Sequence, residues 1–211
     1  MHYKLLCFDL DGVIFKDANF WMALHERFGT LEKGKELTKK YLSSDYDRLV
    51  QEVVGKLWKG KDARPYYALI DSLEYVPGVA EVFQYVRNKG MMTAIISASS
   101  IDAARRVQKE FGVDHVFANE LVIREGKVSG EFSWPIGAGN EKKAEILRKL
   151  SASLNISLDE CIYVGDSETD IEAFKIVGMS IAFNATSEEL KRAATYKVDS
   201  KNLSDILQYI P

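Results

Sequence analysis

The chain has 211 residues, a formal net charge of -3 at pH 7, 46% hydrophobic and 28% charged residues, and two cysteines. That length carries one large domain, or a domain with a smaller insertion, and the near balance of charges excludes the basic surface that a nucleic-acid or membrane-surface partner would need. No run approaches the eighteen or so apolar residues of a membrane span, and the N-terminus lacks a signal peptide's basic-then-apolar layout, so a cytoplasmic protein is expected.

The opening stretch LLCFDLDGV reads as a buried apolar strand that ends in two carboxylates, Asp9 and Asp11. Aspartate is a poor strand residue, and side chains two apart on an extended segment point the same way, so the two are expected to face each other. At roughly 4 Å and an effective dielectric near 20 their repulsion is about 4 kcal/mol, which a cation, a shared proton or water must offset. Cys7 and Cys161 each fall in an apolar, strand-like run without CxxC spacing and read as buried free thiols. His2, His25 and His115 form no metal-ligand pattern.

Over residues 15–75 large side chains recur at helical spacing, as in Phe20, Trp21, Leu24 and Phe28, then Tyr46, Leu49, Val50, Val53, Val54, Leu57 and Trp58, with no convincing strand. From Val76 on, strand and helix patterns alternate. Pro77-Gly78 opens a helix that stops near Gly90, MMTAIISAS is a buried strand, SIDAARRVQKEFG a helix and HVFAN a strand. ELVIREGKVSGEFSW is expected to be a hairpin turning at Glu125-Gly126. The rest continues as helix NEKKAEILRKL, strand CIYVGD, helix SETDIEAFKIVG, strand SIAFN, helix TSEELKRAATY, strand YKVD and helix LSDILQYI. This alternation predicts an α/β fold, a mostly parallel sheet with helices on both faces, and makes the early helical stretch an insertion.

In open parallel sheets ligands bind beyond the carboxyl ends of the strands, where the strand order reverses. Three predicted strands end in polar residues: Asp9-Leu10-Asp11-Gly12, Ser97-Ala98-Ser99-Ser100, and Gly165-Asp166-Ser167-Glu168-Thr169-Asp170. Lys143 stands in the first turn of a helix that Asn140 could cap, where a cation opposes the helix dipole at a cost of about 0.3–1 kcal/mol unless an anion is close. Each of these taken alone has a structural explanation: a polar strand end, a satisfied buried hydroxyl, a solvated lysine, a capped helix start. Their succession at strand ends suggests a cation held by carboxylates and an anion held by hydroxyl, N–H and ammonium groups, a combination suited to a magnesium-dependent reaction of a phosphate ester.

FDLDGV, the strand ending in Ser97, Lys143 in KKAEIL, and VGDSETD resemble, in order, the four motifs of the haloacid dehalogenase superfamily, and the likeness is closest to its phosphoserine phosphatase group. The resemblance implies a Rossmann-like core formed by residues 1–14 and 76–211 with a small helical cap at 15–75. It implies that Asp9 attacks phosphorus and that Asp11 acts as acid and base. Mg²⁺ would be held by the Asp9 carboxylate, the Asp11 carbonyl and Asp166, with Asp170 orienting a metal-bound water. Ser97, Ala98, Lys143 (rather than Lys142) and Gly12 would serve the phosphate site. The implied substrate is a small phosphomonoester. Other activities of the superfamily, a sugar-phosphate or nucleotide phosphatase or a phosphomutase, stay open, as does a non-catalytic phosphate-binding module.

The chain also departs from that group. Gly12-Val13 stand where serine and threonine are usual, and Ala98-Ser99 where two glycines are typical. The acid that holds the substrate amine falls on Ala18, beside Asp17, and the arginine that pairs with the substrate carboxylate falls near Val53, with Arg48 and Arg64 the nearest alternatives. Asp17, Ala18 and Arg48 are therefore the expected specificity positions, and the aromatic set Phe20, Trp21 and Phe28 is expected to be packing within the inserted helices.

Overall fold

The computed structural model describes residues 2–16 and 19–211; Met1, Asp17 and Ala18 lie outside the described residues. Strand β1 (Leu5–Phe8) sits in the middle of a seven-stranded sheet with β2 (Met92–Ser100), β3 (His115–Arg124), β4 (Lys127–Ser133), β5 (Cys161–Gly165), β6 (Met179–Phe183) and β7 (Tyr196–Val198). The spatial order is β4-β3-β2-β1-β5-β6-β7, and every pair is parallel except β3 with β4. The chain winds outward from β1 through β2 and β3, then returns to the other flank of β1 with β5. The order thus reverses at β1, which places a crevice beyond the carboxyl ends of β1, β2 and β5.

Alternation along β1 divides the core into two layers: Leu6 and Phe8 face one, Leu5 and Cys7 the other. The first layer contains Val82, Phe83 and Val86 of α5 (Val79–Asn88) and Ala104 and Val107 of α6 (Ile101–Phe111). The second contains Leu147 and Leu150 of α7 (Glu141–Ser153), Phe174 of α8 (Ile171–Phe174) and Leu190 of α9 (Glu188–Ala193). Cys7 and Cys161 are buried free thiols in that second layer, as read from the sequence.

Between β1 and α5 the chain is helical, with α1 (Phe20–Arg27), α2 (Leu31–Tyr41), α3 (Tyr46–Glu52), a π-helical turn at Val53–Trp58 and α4 (Arg64–Ser72). Phe20, Leu24, Phe28, Trp58 and Tyr66 from this stretch join the first hydrophobic layer, as the packing reading expects of Phe20 and Phe28, whereas half-buried Trp21 packs against that layer with part of its surface on open space. Backbone bonds tie it to the β3–β4 hairpin: Gly60 N–H donates to Val128 O at 2.8 Å and Ala63 N–H to Gly126 O at 2.8 Å. A side-chain latch links α4 to the end of β2, where Tyr66 Oη lies 2.6 Å from Ser100 Oγ and donates to Asp102 at 2.8 Å. None of the helices among the described residues is long and apolar enough to cross a membrane.

Four local expectations need correction. HVFAN and ELVIR are one strand, β3, since the pairing carries straight on from β2 to β4 and the turn comes only at Glu125 and Gly126, both at positive φ (49° and 74°). The helix expected over SETDIEAFKIVG is a 3₁₀ turn (Glu168–Asp170) followed by the four-residue α8, because the Asp170 carboxylate turns back onto the N–H groups of Asp166 and Ser167. LSDILQYI forms a 3₁₀ helix (Leu203–Tyr209) whose buried residues, Leu203 and Ile206, match a period of three. Asn140 precedes α7 but caps nothing with its side chain; its φ is 51°, and its N–H donates to Thr169 O at 2.9 Å.

Candidate active site

Asp9 follows the last residue of β1, and its parity continues that of Leu5 and Cys7, toward the layer that holds α7. There Lys143 meets it. Lys143 Nζ lies 2.6 Å from Asp9 Oδ2 and 2.7 Å from Asp170 Oδ1, and donates to Thr169 Oγ1 at 3.0 Å. The lysine is 0% exposed. Burial pulls its ammonium down, but the charges of Asp170 and Asp9 and the hydrogen bonds to them outweigh burial and hold it well above its ordinary value. The other Asp9 oxygen accepts the Leu10 N–H at 2.7 Å. Exposed Lys142 instead pairs with Glu145 at 3.0 Å, on the outer face of α7.

The premise that Asp9 and Asp11 face each other across an extended strand does not hold, because β1 ends at Phe8 and the chain turns before Asp11. Asp11 Oδ2 accepts the Phe20 N–H at 3.1 Å, at the start of α1. The repulsion is nonetheless present: burial first and the Asp9 charge second push the Asp11 carboxyl up to about 7. A shared cation is therefore not the sole relief, since Lys143 neutralises Asp9 directly. Gly12, at φ +75°, makes the turn, and a Cβ there would collide with the Asp166 carboxylate, so its side of the chain faces that acid.

Asp166 leaves β5 half-buried, and among the described residues its carboxylate accepts no hydrogen bond. Burial, followed by the charges of Asp9 and Asp170, pushes it up to about 8. Asp170 is pushed up to about 6, with burial as the leading cause and Lys143 opposing it. Carboxylate oxygens of Asp9, Asp166 and Asp170 lie within 4.8 Å of one another. Asp170 is nonetheless engaged, by Lys143 at 2.7 Å and by the Asp166 and Ser167 N–H groups at 3.2 and 3.3 Å. Asp9 and the unpaired Asp166 are left to face the crevice, and three carboxylates around the single Lys143 ammonium leave hard oxygen donors and uncompensated negative charge that fit a divalent cation such as Mg²⁺.

At the end of β2, buried Ser97 Oγ accepts the Ser99 N–H at 3.2 Å. A cavity of about 190 Å³ is lined by Asp9, Asp11, Ser97, Ala98, Ser99 and Asp166, which brings five of the seven sequence-derived site residues at the three strand ends, all but Gly12 and Asp170, to one space. Two contributors were not singled out from the sequence. Ser99, given no role among the polar residues at that strand end, has a buried hydroxyl without a hydrogen-bond partner among the described residues. Asn119, near the middle of β3, donates to the Ala98 and Gly137 carbonyls at 2.9 and 2.8 Å and accepts the Ile136 and Gly137 N–H groups at 3.2 Å each. It clamps the loop before α7 to the end of β2. A polar residue inside a strand pattern was the only signal for it.

Of the expected specificity positions, Asp17 and Ala18 lie outside the described residues. Arg48 is a correction: it is exposed, with its guanidinium 5.0 Å from the Tyr41 ring centre, while Leu49, Val50 and Val53 of the same helical stretch turn inward. Arg64 is also exposed and paired with Asp62.

A profile of the haloacid dehalogenase-like hydrolases matches residues 6–175. The chain belongs to that family. As a haloacid dehalogenase-like hydrolase it is 28% identical over 209 residues to the phosphoserine phosphatase of Methanocaldococcus jannaschii, covering 98% of this chain and 97% of the relative. In three dimensions it is similar to a substrate-bound phosphoserine phosphatase, with TM-score 0.85, 26% identity and 100% of both chains covered. It is similar to the same degree, at 27% identity and with the same TM-score and coverage, to a phospho-aspartyl intermediate analogue of phosphoserine phosphatase.

Proposed function

We propose that this hydrolase is a Mg²⁺-dependent phosphomonoesterase that works through an aspartyl-phosphate on Asp9. The observation that carries the reading is Lys143, wholly buried and held between Asp9 at 2.6 Å and Asp170 at 2.7 Å at the point where the strand order reverses. A lysine is rarely placed there for packing, and its ammonium orients the Asp9 carboxylate as a nucleophile beside a phosphate-sized cavity. The likeness to a phosphoserine phosphatase captured as an analogue of a phospho-aspartyl intermediate supports the same reading.

In this reaction an Asp9 oxygen forms a bond to phosphorus while the bond from phosphorus to the ester oxygen breaks. Asp11, pushed up to about 7, is protonated in a substantial fraction of molecules at neutral pH and in that form gives its proton to the departing alkoxide. It then takes a proton from the water that attacks the acyl phosphate, releasing inorganic phosphate and regenerating Asp9. Ser97, the N–H groups at the end of β2 and the Lys143 ammonium bind the phosphoryl oxygens and offset their charge. Mg²⁺ bound by the carboxylates of Asp9 and Asp166 and the carbonyl of Asp11 would draw charge from those oxygens. Asp170 holds Lys143 and the turn after β5 in place, and the helices of residues 19–75 cover the crevice as a cap that excludes water.

The test uses p-nitrophenyl phosphate. Asp9→Asn reduces turnover to background while circular dichroism shows the fold retained, and EDTA stops the wild type until Mg²⁺ is restored. Undiminished turnover in Asp9→Asn would refute the nucleophile, and indifference to EDTA would refute the metal.

A further inference from the structure

A second cavity, of about 220 Å³, adjoins the phosphate site and shares Asn19, Trp21 and Ala98 with it as walls. All three tryptophans of the chain, Trp21, Trp58 and Trp134, line it. Trp21 and Trp134 are stacked with ring centres 4.7 Å apart, and Trp58 lies 6.1 Å from Trp21. Among the described residues no lysine, arginine, aspartate or glutamate lines this space, and Met1, Asp17 and Ala18 include no lysine or arginine. Its one titratable base, His25, is buried against Trp58 at 4.6 Å, and burial lowers it to about 4, so it brings no positive charge at neutral pH. Val53, 6% exposed, lines the cavity, and Leu42, 46% exposed, stands at its rim.

We infer that the aromatic cavity receives the organic part of the substrate, and that this part is a neutral aromatic group rather than a charged amino acid. The inference rests on the phosphomonoesterase reading above and names its substrate class. The α-carboxylate of phosphoserine carried into this space would lose its water and find no cation, whereas a planar ring would lie among indole faces. The volume suffices: an apolar cavity of about 150 Å³ admits benzene. Asp11 lines the neighbouring cavity, which places the proton donor on the side of the shared wall where the ester oxygen departs.

Benzyl phosphate and L-phosphoserine test this directly, because both are esters of primary alcohols and intrinsic reactivity does not favour the ring strongly. With Mg²⁺ the wild type hydrolyses benzyl phosphate with kcat/KM at least ~10-fold higher, as a site does against a partner it leaves unpaired. Val53→Arg, which brings a cation into the cavity, lowers that ratio at least ~10-fold. Leu42→Arg, at an exposed position that tolerates charge, moves it the same way should Val53→Arg fail to fold. Tryptophan emission provides a readout independent of turnover: phenylphosphonate shifts or quenches it at concentrations where the phosphonate isostere of phosphoserine does not. Preference for phosphoserine in kcat/KM, with emission unmoved by phenylphosphonate, overturns the inference and leaves the phosphatase reading standing. An emission response to phenylphosphonate without hydrolysis of any ester keeps the aromatic site and overturns the phosphatase.

Discussion

Replacing Lys143 by methionine keeps the length of the side chain and deletes the ammonium that Asp9 and Asp170 share. At 2.6 and 2.7 Å and an effective dielectric near 20, each attraction is about 6 kcal/mol, set against a desolvation penalty of several kcal/mol for each buried ion. Removing one partner of such a cluster leaves uncompensated buried charge and costs about 3–5 kcal/mol. In a chain of this size that lowers Tm by roughly 6–20 °C. The cost depends on pH with a definite sign. Without Lys143 the Asp170 carboxyl, already pushed up to about 6 in the folded protein, loses the charge that opposes the rise and moves further above its unfolded value. A group raised in the folded state binds more protons folded than unfolded, so its penalty is complete above the folded value and vanishes below the unfolded one, near 4. The variant's deficit is therefore greatest at pH 8 and shrinks toward pH 5. Thermal denaturation followed by circular dichroism, in EDTA so that no cation substitutes for the lysine, measures it, with Asp170→Asn in the same background recovering part of the loss. A deficit under about 2 °C at pH 8, or one that does not shrink on acidification, refutes the account of Lys143 as the counter-ion of this cluster.

Asp11, pushed up to about 7, is largely protonated at pH 6 and largely ionised at pH 8, so kcat for an alkyl phosphate falls as pH rises through that value. Asp11→Asn removes the fall and costs roughly 10²–10⁴-fold for an alkyl ester. In kcat/KM, which does not include hydrolysis of the aspartyl-phosphate, it costs much less for p-nitrophenyl phosphate, whose leaving group needs no proton, and equal losses in kcat/KM on the two esters would remove Asp11 as the acid. Gly12→Ala places a Cβ against the Asp166 carboxylate at a φ of +75°. The backbone cost is about 1–2 kcal/mol. The displaced acid should raise the Mg²⁺ concentration needed for half-maximal activity several-fold, and a Mg²⁺ titration unchanged from wild type would show that Asp166 does not face the cation.

The alternation of strand and helix after Val76 was readable because it depends on local periodicity, and the mostly parallel sheet it predicts is observed, with HVFAN and ELVIR joined in one strand. Asp9, Ser97, Asp166 and Lys143 were readable as well, since each stands where the apolar patterning of a strand breaks off or a helix begins. Asn119 was not, because its function depends on two backbone segments, the end of β2 and the loop before α7, that only the folded chain brings to it. The relation between Asp9 and Asp11 was misread for a related reason. Parity along a strand applies only while the strand lasts, and β1 stops at Phe8.

The amino-acid order by itself determined the α/β winding and the kind of chemistry at the strand ends, because both follow from residue type and short-range spacing. Tertiary structure alone decided the pairing of Lys143 with Asp9, 134 residues apart. It also gathered Trp21, Trp58 and Trp134 around one cavity beside the phosphate site that, among the described residues, no lysine, arginine, aspartate or glutamate lines. Close packing of distant segments creates such neighbourhoods, and no local pattern in the chain encodes them.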